Sequence, residues 1–356
     1  MWNDIQPRRY TYRILPIALV RAFIIAYVLR LSGLRAVSER CARVLGNAAF
    51  NSIAVALTRA SSLAFVRAMV ERLQATHAPK DGQLVAIDGM ALTLPRTQRH
   101  RCAKFNNNTV GGGVVWSWMI DMLHGASPLN VLKVVSGAWC DSKLMRNVRL
   151  SPNGPVYLMD RGFYALELLE QWLAEEVRFI VRVRQNCLVY KVLKTLRAPG
   201  QIGSLQLLMD AMVCLGGPHA KAYPVVRLIH VRLASGEDLI LATDRMEWST
   251  QRVLDSYKKR WHIERFHRLL KETLGLAHLY SFKQDGIEFL LYAAVLVTLL
   301  LVLARTTARG ETVVVLHQAL RELRTALGLG TPWKRNSCTR QRRRTKQPRR
   351  PKTIER

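Results

Sequence analysis

Two short apolar runs in this chain each carry a single aspartate, and a buried strand tolerates an aspartate only on narrow terms. Gln83 to Leu92 reads QLVAIDGMAL, broken by Asp88 with Gly89 behind it; Pro155 to Phe163 reads PVYLMDRGF, ending in Asp160 and turning at Gly162. Taking a carboxylate out of water is costly unless it is paired, hydrogen-bonded or bound to metal. Either aspartate alone reads most simply as a turn or capping residue. Together with a third carboxylate held on a helix they would make a metal cage.

The segment Tyr257 to Lys271 offers that third carboxylate. At roughly 100° per residue, Tyr257, Arg260, Glu264 and Lys271 project within an arc of about 60° on one helix. Ile263, Phe266, Leu270 and Leu274 fall on the opposite side. The spacing predicts an amphipathic helix with an apolar back and a polar front centred on Glu264. A structural surface helix would also turn its charges outward, so this segment by itself leaves both readings open.

With both aspartates added, the pattern resembles the DDE transposases of the insertion-sequence-4 family. The blocks that carry the resemblance are Asp88-Gly89, Asp160-Arg161-Gly162-Phe163, and Tyr257-x2-Arg260-x3-Glu264-x6-Lys271, the last matching the family's Tyr-Arg-Glu-Lys spacing throughout. The resemblance covers about residues 85–303. It implies an α/β fold, with a ribonuclease-H-like catalytic core, a β-rich insertion between the second aspartate and the glutamate, and an α-helical N-terminal domain. It also implies that Asp88, Asp160 and Glu264 are catalytic and hold two Mg2+ ions, with Mn2+ able to substitute. Magnesium prefers hard oxygen ligands, and a pair of ions can serve the attacking and the leaving oxygen of a phosphodiester. Arg260 and Lys271 would contact phosphates and Tyr257 the same backbone or an extruded base, while His267 and Arg268 would widen the contact or form a solvated charged face. Relatives that use a hairpin intermediate stack a flipped base on an aromatic residue of the insertion. Here that segment holds no tryptophan, and Trp248 lies near its end.

Charge points the same way independently. With 54 Lys+Arg against 25 Asp+Glu, the net charge is +29 and the pI about 10.7. Such a surplus suits a polyanionic partner, because neutralising phosphates releases condensed counterions. Together with the resemblance, this implies double-stranded DNA as partner, both transposon ends and target, and a second copy of the chain in a paired-end complex, with no membrane and no small-molecule substrate. Six cysteines, at 41, 102, 140, 187, 214 and 338, include no CxxC pair, which suggests neither a zinc site nor a disulfide framework but buried or idle thiols in a reducing cytoplasm. The setting expected is the prokaryotic cytoplasm, at the nucleoid. The apolar run Phe289 to Ala304 is 16 residues between Glu288 and Arg305. A spanning helix needs about 20, so a buried core helix is expected.

Along the chain, residues 1–80 carry 12 Lys+Arg against 3 Asp+Glu with helical periodicity from Ala36 to Leu45 and Ser61 to Ala75. They read as a basic helical domain for DNA ends or as a packing domain. Residues 81–186 would form the first part of the core: the Asp88 strand, a basic stretch from Arg96 to Lys104, a hairpin turning at His124 to Pro128, and the Asp160 strand. A helix over Tyr164 to Glu176 and a strand over Phe179 to Val183 would follow, with Arg178, Arg182 and Arg184 alternating along one face. That face would track a phosphate backbone, or be edge charge that deters sheet pairing. Residues 187–238 read as the β-rich insertion and 239–330 as the rest of the core, with Asp244 a loop or capping residue. Residues 331–356 form a basic tail expected to be disordered: from Trp333 onward there are 11 Lys+Arg and one Glu. The reading is a cut-and-paste DNA transposase. The alternatives are a DNA endonuclease of the same fold and a catalytically silent, transposase-derived DNA-binding protein.

Overall fold

The structure is a computed structural model that describes residues 14–75, 82–93, 113–121, 127–136, 141–276, 279–281 and 283–306. The Arg96 to Lys104 stretch, the apex of the hairpin and the basic tail lie outside the described residues.

Five helices come first: α1 (Pro16–Leu29), α2 (Leu34–Arg40), α3 (Ala42–Leu45), α4 (Phe50–Leu57) and α5 (Ala60–Ala75). Pro16 occupies the first turn of α1, where its missing N–H is no loss, and Arg30 closes the helix in a left-handed conformation. The period predicted over Ala36 to Leu45 is split at Cys41 into two short helices.

A ten-stranded mixed sheet follows. Its elements are β1 (Leu84–Thr93), β2 (Gly113–Asp121), β3 (Ser127–Ser136), α6 (Asp141–Met145), β4 (Val156–Met159), α7 (Leu166–Ala174), β5 (Arg178–Arg182), β6 (Val189–Arg197), β7 (Gly200–Ile202), β8 (Leu205–Leu215), β9 (Val225–Arg232) and β10 (Asp238–Thr243). The order is β3-β2-β1-β4-β5-β10-β9-β8-β6, with β7 on β8. β1, β4 and β5 run parallel and the other pairings are antiparallel. β10 pairs with β5 on one side and β9 on the other. The β-rich stretch between Asn186 and Gly236 therefore continues the central sheet instead of standing apart from it.

The chain then forms α8 (Thr250–Lys258), α9 (Trp261–Arg268), a π turn (Leu269–Thr273) and α10 (Gln284–Thr306). By length and composition the stretch Gln284–Leu301 of α10 qualifies as a membrane span, but 78% of it is buried inside the fold. α10 runs past the apolar stretch at its N-terminal end and packs on α1 and α5. The Tyr27 hydroxyl donates to the Leu290 carbonyl at 2.7 Å, and Arg67 pairs with Glu288 at 3.0 Å. The N-terminal helices share one continuous core with α8, α9, α10 and one face of the sheet; α7 covers the other face over a second core.

Candidate active site

Strand periodicity decides where the two aspartates point. Leu84, Ala86 and Met90 of β1, with Val156 and Leu158 of β4, face the core beneath α8 to α10; Val85, Ile87, Tyr157 and Met159 face the α7 side. Side chains alternate faces along a strand, so Asp88 and Asp160 share the α9 face. The parallel register pairs Ile87 with Met159, which sets the two aspartates side by side, one step further on.

The helix predicted over Tyr257 to Lys271 is not continuous, and this is a correction. α8 ends at Lys258, Arg260 stands at the head of α9, and Lys271 lies in the π turn. Bonds of i to i+3 type from Lys259, Arg260, His262 and Ile263 mark the break. The apolar back is as predicted: Ile263, Phe266, Leu270 and Leu274 are all buried. Arg260 links the polar residues. Its guanidinium donates to Glu264 at 2.8 Å, lies 3.9 Å from Asp88 Oδ2, and sits over the Tyr257 ring at 5.8 Å.

Negative charge is concentrated and only partly offset here. Burial, followed by the like charge of Asp160, pushes the Asp88 carboxyl up to about 7, against the pull of Arg260 and a bond from the Gly89 N–H. A fourth carboxylate, Asp141 at the start of α6, is raised to about 6 by burial and by Asp160. Asp160 Oδ1 accepts from the Gly162 N–H at 2.7 Å. A Cβ at Gly162 would stand 2.5 Å from Asp141 Oδ2 and 3.0 Å from Asp160 Oδ1, so only glycine permits this approach. Sequence reasoning missed Asp141: an aspartate opening a short helix looks like a cap, and its nearness to Asp160 is purely tertiary.

Several expected DNA contacts are relocated. His267 is buried, with Nδ1 4.0 Å from Asp88 Oδ2, and burial followed by the charges of Lys271 and Arg260 lowers its pKa to about 3. It is a neutral neighbour of Asp88, not part of an outward phosphate-contacting face. Tyr257 is also buried, its hydroxyl pushed up to about 12 chiefly by burial. As placed it supports Arg260 and offers no open ring to an extruded base. Lys271 is half-buried, and desolvation lowers its pKa against the pull of Asp88. Arg268 is exposed. Asp244 has the loop role: it accepts from the Phe179 N–H at 2.8 Å and pairs with Arg245. The cap of α8 is Ser249.

Arg260 bridges Asp88 and Glu264, and the three predicted carboxylates do not close on a point. Among the described residues no three His, Cys, Asp or Glu side chains converge closely enough to hold a metal ion. The donor set nonetheless has the chemistry of a hard-cation site: Asp88 and Asp141 are raised by burial and then by the like charge of Asp160, and carboxylate oxygens so gathered suit a hard cation.

A model of a protein family described as the transposase DDE domain matches residues 79–300, more than half of the chain. A probable transposase for insertion sequence element IS5377 of Geobacillus stearothermophilus is 25% identical over 146 residues; the match spans 41% of this chain and 38% of that protein. Among solved structures, a piggyBac transposase synaptic complex with hairpin DNA aligns with 90% of this chain and 73% of its own, at 13% identity and a TM-score of 0.44.

Proposed function

This chain belongs to the transposase DDE domain family, and from that premise we propose that it is a cut-and-paste DNA transposase which cleaves transposon ends and joins them to target DNA. The observation that carries the proposal is the side-by-side placement of Asp88 and Asp160 beneath a helix whose Arg260 reaches 3.9 Å from Asp88 while donating to Glu264 at 2.8 Å. The strand order 3-2-1-4-5, with β2 antiparallel and β1, β4 and β5 parallel, supports a ribonuclease-H-like core. The Tyr-Arg-Glu-Lys spacing supports a place in the insertion-sequence-4 group.

Asp88 and Asp160, with Glu264 as third donor, would hold the divalent ions, magnesium in the first instance with manganese as substitute. Bound there, the ions supply activation of the attacking oxygen and stabilisation of the leaving 3′ oxygen. The protein's own residues do the rest. Arg260 offers a planar guanidinium suited to bidentate phosphate contact, and Tyr257 beneath it fixes its plane. His267, neutral and buried, shields Asp88 from water. Lys271 and the exposed Arg268 extend positive charge along the path of a DNA strand. The reaction breaks one phosphodiester by attack of water and frees a 3′-hydroxyl, which then attacks a target phosphodiester at the same site. Two copies of the chain, each holding one end, would be needed to insert both, in the cytoplasm at the nucleoid.

Glu264→Gln tests the proposal. It removes a ligand oxygen's charge while leaving the phosphate-contacting surface in place, so strand cleavage should vanish while DNA affinity stays near wild type. Magnesium-dependent nicking of a terminal repeat by the purified variant would remove Glu264 from the active site.

A further inference from the structure

Beside Asp160, at the ends of β4 and β5, opens a cleft of about 530 Å³ lined by Arg161, Gly162, Arg182, Arg184, Asn186 and Glu237, among others. Arg182, the last residue of β5, alternates with Val181 and so falls on the Asp88 and Asp160 face, and Arg184 follows two residues past the strand end. β5 lies between β4 and β10, so Arg182 is not the edge charge that guards an unpaired strand.

The cleft holds more cationic charge than the structure uses. Its two acids are already engaged: Glu237 pairs with Arg182 at 2.6 Å, and Asp238 pairs with Arg232 at 2.8 Å and His230 at 3.1 Å. Arg161 and Arg184 are both exposed, and among the described residues neither guanidinium has an acidic partner. Arg184 lies near the Tyr164 phenol, which burial pushes up to about 12 against the pull of that guanidinium. Two guanidinium forks without acidic partners on a concave site that Gln185 and Asn186 also line match a phosphate in charge and in bidentate geometry. Because Arg161 directly follows Asp160, a phosphate held here lies on the strand next to the one presented to the carboxylates.

We infer that this cleft is a phosphodiester-binding subsite, formed by Arg161 and Arg184, that grips the DNA strand adjacent to the bond being cut or joined. The inference rests on the transposase reading and adds to it a site on the opposite side of Asp160 from Arg260. The gripped strand belongs either to the transposon end or to the target, since both present the same phosphates.

The test compares the full-length protein with R161Q/R184Q and R161K/R184K, by phosphate-ethylation interference and by salt titration of binding. It uses one duplex carrying the element's terminal repeat and one target duplex. The Gln pair should lose interference at one or two neighbouring phosphates and keep the rest, with a salt slope shallower by roughly one to two. The Lys pair should restore the slope, because charge is retained. Loss confined to the end duplex places the strand in the transposon, and loss confined to the target duplex places it in the target. Unchanged interference and slope on both duplexes would overturn the subsite, as would a uniform weakening at every phosphate. Wild-type protein that shows no protected phosphate on either duplex would instead sink the transposase reading, and the subsite with it.

Discussion

Asp88 sits where burial and the neighbouring Asp160 both oppose its charge. An acid with a raised folded pKa keeps a proton that the unfolded chain has already released. Its penalty on the folded state therefore grows as pH climbs from 3.8, the ordinary value, to about 7. Asp141 adds a smaller effect of the same sign up to about 6. His267 works in the opposite direction: its stabilising contribution is complete above 6.5 and is lost as pH falls toward 3. Metal-free Asp88→Asn should therefore melt above wild type at pH 8, by roughly 1–2 °C for each kcal/mol relieved in a chain of this length, with a smaller gap at pH 5. Thermal denaturation at both pH values checks this, and a variant that melts lower at pH 8 would mean Asp88 is well compensated. At this scale Asp88 and Asp160 were legible because an acid in an apolar run is conspicuous. Asp141 was not, because its only distinguishing property is the company that folding gives it.

At the scale of elements, the 3.6-residue period identified the buried side of α9, since hydrophobic spacing survives a local bend. It could not reveal the break between α8 and α9. The stretch Ser256 to Trp261 contains neither Gly nor Pro, so nothing local signals a stop. One tertiary anchor that fixes the launch of α8 is a buried network. Arg227 on β9 donates to both carboxylate oxygens of Asp210 on β8, at 2.8 and 2.7 Å, and to the carbonyls of Arg245, Met246 and Trp248, while Thr250 donates to Asp210 at 2.7 Å. The insertion strands are thereby tied to the loop that starts the Glu264-bearing helices. Removing one member of a buried pair leaves a bare charge, so Arg227→Met should cost about 3–5 kcal/mol. Adding Asp210→Leu should return part of that loss. Denaturant unfolding of both variants decides, and a single variant as stable as wild type would show the network to be dispensable.

For the whole molecule, the apolar content of residues 1–80 was legible but its destination was not, because sequence does not say which helix covers which. The structure buries Phe23, Tyr27, Val66 and Val70 in the same core as Phe289, Leu290 and Ala294 of α10. Deleting residues 1–80 should then uncover α10 and yield aggregated protein, not a soluble core that has merely lost end preference. Size-exclusion chromatography of the truncated chain checks this; a monodisperse, folded product would show the helices to be separable. The central claim, that one site both cuts and joins, is tested most directly by assaying cleavage of an end duplex and transfer of a pre-cut 3′ end into a plasmid, for wild type, Asp88→Asn, Asp160→Asn and Glu264→Gln. Each variant should lose both reactions together while still binding DNA. A variant that no longer cuts but still joins would place the two reactions at different sites and contradict the account.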